Sequence, residues 1–268
     1  MTAAPVAFGQ LRRSLRGAAG IARSLRIYYG SPRHRRRMIA LYRGFIGPGD
    51  LVFDIGSHVG DRIGAFRALG ATIVGAEPQP AAFRWLKLRY GRDPRITLVQ
   101  AALSDAPGEL TFHLNFANPT VSTASPQFMA AANGAPGWEG QNWDQAISVP
   151  AVTLDTLIGR YGAPAFVKID VEGFELNVLK GLSRALRALS FEFTTIQRDV
   201  ALACLDRLSA LGAYRFNVAL GESQRFEFAE AISAAEMAEF VTALPHSANS
   251  GDIYAVLEGG AADITSIG

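Results

Sequence analysis

From residue 51 onward, short apolar runs alternate with stretches of helical spacing, and that alternation leaves few architectures open to the chain. Runs at 51–55, 72–76 and 96–103 read as strands, the first a buried one flanked by glycine. Between them, 60–69 carries Ile63, Phe66 and Leu69 at helical spacing and stops at Gly70, while 80–90 opens on Pro80, which suits a first helical turn. The pattern resumes with strands at 166–170, 189–195, 214–220 and 253–257, separated by helical spacing at 174–189, 199–211 and 230–243. Such alternation builds parallel βαβ units, so the expected fold is α/β: one doubly wound, mostly parallel sheet beginning near residue 45. Between Gly108 and Pro150 the alternation breaks. Residues 109–116 read as an added strand, and 117–147, rich in Asn, Ser, Gly, Pro and Gln, as a lid or binding loop.

Composition agrees with a folded domain. Of 268 residues, 49% are hydrophobic and 19% charged, too apolar for disorder over most of the length. A single cysteine, Cys204, excludes an intrachain disulfide and a multi-thiolate zinc site, and favours a reducing, cytoplasmic setting. No apolar run reaches the ~18 residues of a membrane span. The start lacks the charged opening of a secretory signal, although its Arg-rich, acid-free character also suits an organellar transit peptide.

Charge is unevenly placed. Residues 1–49 hold ten arginines and no acid, leaving 16 basic against 24 acidic residues in the remainder. Over 8–29, Leu11, Leu15, Ala18, Ala22, Leu25 and Tyr29 share one helical face, with Arg12, Arg13, Arg16, Arg23 and Arg26 opposite. The expected organisation is a basic helical extension, 1–44, before a domain over 45–268. Residues 8–43 could touch an anionic membrane, or the helix could lie on the domain with its arginines in solvent. An Ala-rich face without Trp favours the second. Only Tyr28, Tyr29 and Tyr42 accompany the arginines, too few aromatics for RNA recognition, so no nucleic-acid partner is expected.

The chemistry concentrates where the first strand meets the first helix, at Asp54-Ile55-Gly56-Ser57-His58-Val59-Gly60. Open α/β sheets bind ligands at such turns. Its spacing, D-x-G-x-x-x-G, is not the G-x-G-x-x-G of dinucleotide folds. An acid in the turn repels a pyrophosphate and suits the cationic amino group of S-adenosylmethionine. Glu77, 21 residues after Gly56, closes the second strand, where an acid can accept both ribose hydroxyls. Ser104 and Asp105, after the third strand, could reach an adenine edge or simply cap a turn before Pro107-Gly108.

Five segments then carry a resemblance: GPGDLVFDIGSHVGDRIGAFRALGATIVGAEPQP, ITLVQAALSDAPGEL, VPAVTLDTLI, FVKIDVEGFELNVLKGL and LSFEFTT. In this order, over most of residues 47–195, the chain resembles the FkbM-type methyltransferases among the S-adenosylmethionine-dependent enzymes. The resemblance implies a Rossmann-like seven-stranded sheet with one reversed strand. It implies methylation of a hydroxyl on a small molecule or saccharide: a glycan, lipid or secondary metabolite. By position, Asp54, Gly56, Ser57, His58 and Gly60 would form the cofactor turn, Glu77 would hold the ribose, and Ser104 and Asp105 would lie at the adenine.

Asp170 ends the fourth strand, beside the first, so its carboxylate would face the transferred methyl group. Methylating an alcohol requires alignment of oxygen, methyl and sulfur and removal of the hydroxyl proton. The candidate catalytic residues are Asp170, Glu172 and His58, the last if its pKa is near neutrality. Alternatively, Glu172 pairs with Lys168 and holds the strand end. Asp170 with Glu192 would be placed for Mg²⁺, but no third ligand is visible and no metal site is assigned. Two other classes compete. An oxidoreductase binding NAD(P) or a nucleotide sugar lacks support without G-x-G-x-x-G or Tyr-x-x-x-Lys. A non-catalytic module would use only the basic arm, on a membrane.

Overall fold

The computed structural model describes the backbone of residues 4–259 and the side chains of 16–259. The expected positions Leu11, Arg12, Arg13 and Leu15 therefore lie outside the described side chains. Two helices open the chain, α1 (Ala4–Tyr29) and α2 (Pro32–Tyr42). Ser31 caps the second: its hydroxyl accepts from His34 N at 3.2 Å, and Pro32 sits in the first turn, where its missing N–H leaves nothing unsatisfied. The alternation then follows as β1 (Leu51–Ile55), α3 (Asp61–Ala68), β2 (Thr72–Ala76), α4 (Pro80–Tyr90) and β3 (Ile96–Val99). An inserted region holds β4 (Ala102–Leu103), β5 (Gly108–Leu114), α5 (Pro126–Ala132) and β6 (Gln145–Val152). The remainder is α6 (Leu154–Tyr161), β7 (Phe166–Ile169), α7 (Glu175–Lys180), β8 (Ala188–Thr194), α8 (Arg198–Leu211), β9 (Tyr214–Leu220), α9 (Ala234–Ala243) and β10 (Ser250–Leu257).

Seven strands form one sheet in the order β3-β2-β1-β7-β8-β10-β9. Every pair is parallel except those of β10, which runs against both β8 and β9. The order reverses between β1 and β7, and their C-terminal ends open the crevice in which such sheets bind ligands. Side-chain alternation divides the core in two. Val52, Phe166, Ala188, Tyr254 and Val256 face α2 and α3, whereas Phe53, Ile55, Val167, Ile169, Leu189 and Phe191 face α6 to α9.

Several local readings are corrected by tertiary contacts. The run at 96–103 divides: β3 stays in the large sheet, while β4 pairs with β6 in a separate sheet of order β4-β6-β5. β6 escaped the pattern because Pro150 lies within it, and proline demotes a run as a strand. The helix expected over 174–189 stops at Lys180, since Gly181 lies so close to the Ser104 carbonyl that a Cβ there would collide with it. Leu182 and Leu186 still reach the core, from non-helical chain. Tyr214 fixes that segment, its hydroxyl bonding both Leu186 N and Leu186 O at 2.8 Å.

Residues 38–46 send one side into the core. Met38, Leu41, Tyr42, Phe45 and Ile46 are buried with Phe66, Phe166 and Tyr254. The Phe45 ring lies 4.9 Å from Phe166 and 5.5 Å from Tyr254, centroid to centroid. α2 thus closes one face of the sheet rather than preceding the domain as an arm. Replacing a buried ring by a methyl removes its contacts and leaves a cavity, so Phe45→Ala should cost about 3–5 kcal/mol in urea unfolding. A cost within about 0.5 kcal/mol, typical of a surface position, would remove the segment after α2 from the core.

Candidate active site

At the crevice lies a cavity of about 930 Å³, counting its open mouth. Its floor is the turn between β1 and α3. Gly56 N and Ser57 N donate to Ala76 O at 2.9 and 3.0 Å, and Ser57 Oγ donates to Asp54 O at 2.8 Å. Gly56 has φ +83° and its Cα faces the carbonyl of Asp170, into which a Cβ would run. Glycine is therefore required there by the neighbouring turn after β7 before any ligand is considered. A valine at this position would disturb the fold as well as a ligand.

Glu77, on leaving β2, is 5% exposed and ties this turn to the next. Its Oε2 accepts from His58 N at 2.8 Å and its Oε1 from Gln79 N at 2.7 Å. Burial pushes its pKa up to about 7 against the pull of those two amides. Asp54 is also raised to about 7, by burial and then by the charge of Asp61, and its Oδ2 has no hydrogen-bond partner. Both carboxyl groups line the cavity, with Gly56, Ser57 and His58. Gly60, at φ +80°, caps α3 just outside this wall.

His58 departs from expectation. Burial lowers its pKa to about 4, despite the nearby charges of Asp61 and Asp170, so the ring is neutral and weakly basic. Its Nε2 is buried without a partner, and the ring meets Tyr28 edge-on at 5.9 Å. Ser104 and Asp105 also depart from it. Ser104 is buried with its Oγ donating to Asp105 Oδ1 at 2.9 Å, and neither residue is in the cavity wall. Because β4 has left the large sheet, Ala101, Ala102, Leu103 and Phe112 form the wall there, an apolar surface suited to an adenine face.

The opposite wall is acidic. Asp170, Glu172 and Glu192 converge, one oxygen of each lying within 4.8 Å of the others. Lys168, fully buried, reaches Asp170 at 3.2 Å and Asp252 at 2.7 Å, not Glu172 as one sequence reading had it. For Asp170, burial disfavours the charge, but the Lys168 and Arg62 cations outweigh it and hold the pKa below the usual carboxylate range. Glu172 and Glu192 are instead pushed well above that range, by burial first and then by the charge of Asp170.

Sequence reasoning missed Arg62, Glu222, Asp252 and Gln79. Arg62 is 8% exposed and pairs with Asp61 at 2.7 Å, Glu222 at 3.5 Å and Asp252 at 4.0 Å. Its place just after the glycine turn was the one available signal. The others come from distant segments. Gln79 Nε2 donates to Pro119 O and Ser122 Oγ, binding the inserted region over the cavity. α1 completes this roof. Tyr28 lines the cavity, and Gly20 lets α1 approach so closely that a Cβ would sit 2.5 Å from Phe116 O.

A depressed histidine pKa favours the neutral ring. It contributes stability above the unfolded value of about 6.5 that is lost as the pH falls through the folded value. The His58 ring resonances should therefore show no titration between pH 5 and 7 by NMR. A midpoint near 6.5 would reinstate His58 as a base.

The methyltransferase FkbM domain model matches residues 54–244. Hexuronic acid methyltransferase AglP of Haloferax volcanii is 29% identical over 154 residues, which are 56% of this chain and 57% of that protein. The match thus spans little more than half of the curated relative's length. Among solved structures, the precorrin-6y C5,15-methyltransferase of Geobacter metallireducens aligns over 84% of this chain and 86% of its own, at 15% identity and TM-score 0.44. An O-methyltransferase of Bacillus cereus in complex with SAH aligns over 90% and 91%, at 9% identity and TM-score 0.44.

Proposed function

Because the chain belongs to the methyltransferase FkbM family, we propose that it transfers the methyl group of S-adenosylmethionine to an oxygen of a saccharide acceptor. The observation that carries the reading is the charge of the cavity at the sheet's switch point. Asp54, Asp61, Glu77, Asp170, Glu172, Glu192 and Glu222 line it, and its two cations, Arg62 and Lys168, are already engaged with carboxylates. With Asp170 ionised and the other acids able to ionise beside a bound cation, such a wall disfavours the pyrophosphate of a dinucleotide and accepts a sulfonium beside an ammonium group. The saccharide class draws support from the hexuronic acid methyltransferase relative.

In this reading Asp54, Gly56, Ser57, His58 and Gly60 shape the cofactor turn, and Glu77 accepts the ribose hydroxyls with the lone pairs its backbone donors leave free. Asp170, kept ionised by Lys168, accepts a hydrogen bond from the acceptor hydroxyl and orients its oxygen toward the methyl carbon. As the carbon–oxygen bond forms, the carbon–sulfur pair returns to sulfur, the sulfonium becomes a neutral thioether, and the hydroxyl proton passes to a carboxylate.

Calorimetry with S-adenosylmethionine tests the cofactor half: Glu77→Ala should weaken binding by about 1.5–3 kcal/mol, the worth of hydrogen bonds to a charged group. Transfer of labelled methyl to oligosaccharides tests the other, with Asp170→Asn lowering turnover per folded molecule by ~10²-fold or more, the melting temperature reporting separately the loss of the Lys168 pair. Wild-type protein that binds no S-adenosylmethionine, or an Asp170→Asn variant with full turnover, would reject the corresponding assignment.

Peripheral membrane contact belongs to the same proposal. Arg33, Arg35, Arg36, Arg37 and Arg43 are exposed on and just after α2, and among the described residues no helix is long and apolar enough to cross a membrane. Each arginine near an anionic surface contributes about 1 kcal/mol. A triple variant, Arg35→Glu with Arg36→Glu and Arg37→Glu, should lose co-sedimentation with phosphatidylserine vesicles and keep its cofactor affinity. Equal co-sedimentation would remove the membrane as a partner.

A further inference from the structure

Of the three carboxylates that converge beside the proposed methyl-transfer centre, two are left without compensating charge. Lys168 is the nearest ammonium and is divided between Asp170 at 3.2 Å and Asp252 at 2.7 Å. Glu172 is 7% exposed, and among the described residues its carboxylate makes no hydrogen bond or ion pair. Glu192 meets only Asp170 through a side-chain hydrogen bond, and its Oε2 is buried without a partner. Yet both groups point into the cluster, their oxygens within 4.8 Å of each other and of Asp170. Oxygens on opposite sides of a bound ion are separated by twice the metal–oxygen distance, about 4.2 Å for Mg²⁺ and about 4.6–5.2 Å for Ca²⁺. Separations of at most 4.8 Å let all three oxygens share one ion.

We propose that Asp170, Glu172 and Glu192 form a binding site for a hard divalent cation. The donor set is all oxygen, which selects Mg²⁺, Mn²⁺ or Ca²⁺ over thiophilic metals. The ligands come from the turn after β7 and from the adjacent strand β8, and the turn is fixed independently. Thr123 Oγ1 donates to Glu172 O at 2.7 Å, while Glu175 accepts from Val171 N at 3.1 Å and Gly173 N at 3.2 Å. The three carboxylates all line the cavity, so the remaining coordination positions are open to water and to acceptor oxygens. A cation there would supply Lewis acidity at the acceptor hydroxyl. Only this chemical use rests on the methyl-transfer reading; the binding site does not.

The test is a Mn²⁺ titration of the purified chain, without cofactor, followed by electron paramagnetic resonance. We expect one bound ion per chain, displaced by excess Mg²⁺ or Ca²⁺, and an affinity at least about tenfold weaker in Glu192→Gln and in Glu172→Gln. Thermal melting reports whether each variant is folded, and a Mn²⁺-dependent rise in the wild-type melting temperature gives a second readout that needs no variant. No stoichiometric binding below about 1 mM Mn²⁺, the weak end of biological oxygen-ligated sites, overturns the proposal. So does undiminished binding in a folded Glu192→Gln variant. Loss of S-adenosylmethionine binding with Mn²⁺ binding intact would instead count against the methyl-transfer reading alone.

Discussion

A lysine ammonium buried inside a sheet organises this molecule. Lys168 is at 0% exposure, and its Nζ spans from Asp170, on its own chain segment, to Asp252, which lies on β10. A charge so placed is tolerated only while its partners are present, and removing one partner of a buried pair typically costs 3–5 kcal/mol. The register explains the meeting. Lys168 stands opposite Asp54 on β1 and Ser190 on β8, so its side chain leaves the sheet on the face shared with Asp54. The reversed strand β10 brings Asp252 to the same face, opposite Glu192. One cation thereby joins β7 to β10 across β8 and keeps Asp170 ionised where the cavity opens.

Around that centre, acids in neighbouring positions are held in different states. Asp170 is held low by Lys168 and Arg62, whereas Asp54 and Glu77 are raised to about 7 and Glu172 and Glu192 further. The separation arises from which carboxylates the two cations reach, since burial acts on all of them alike. Such a cavity receives positive charge. The two proposed occupants, a sulfonium cofactor and a divalent ion, are both cationic.

The inserted region and α1 act together as a roof. Arg16 pairs with Asp144 at 3.4 Å, and Arg23 donates to Ala117 O at 3.2 Å. Arginines that read as a solvent face or a membrane contact thus partly serve to hold the loop. Tyr28, from the same helix, reaches the cavity wall.

The strands of the large sheet, the glycine turn, Glu77 and Asp170 were legible because each is written locally. A strand shows as an apolar run, a tight turn as glycines, and a cavity-lining residue as the first polar group after a strand. The alternation of strand and helix by itself determined a doubly wound sheet and the end at which its cavity opens. The tertiary structure alone decided what lies across the sheet from what. It took β4 away from the large sheet and with it Ser104 and Asp105 from the cavity. It buried His58 deeply enough to cost the ring its basicity, and it made β6 a strand despite Pro150. It also gave Lys168 to Asp252 and set Glu172 beside Glu192. These outcomes depend on strand register and on desolvation, which arise between segments distant in the chain.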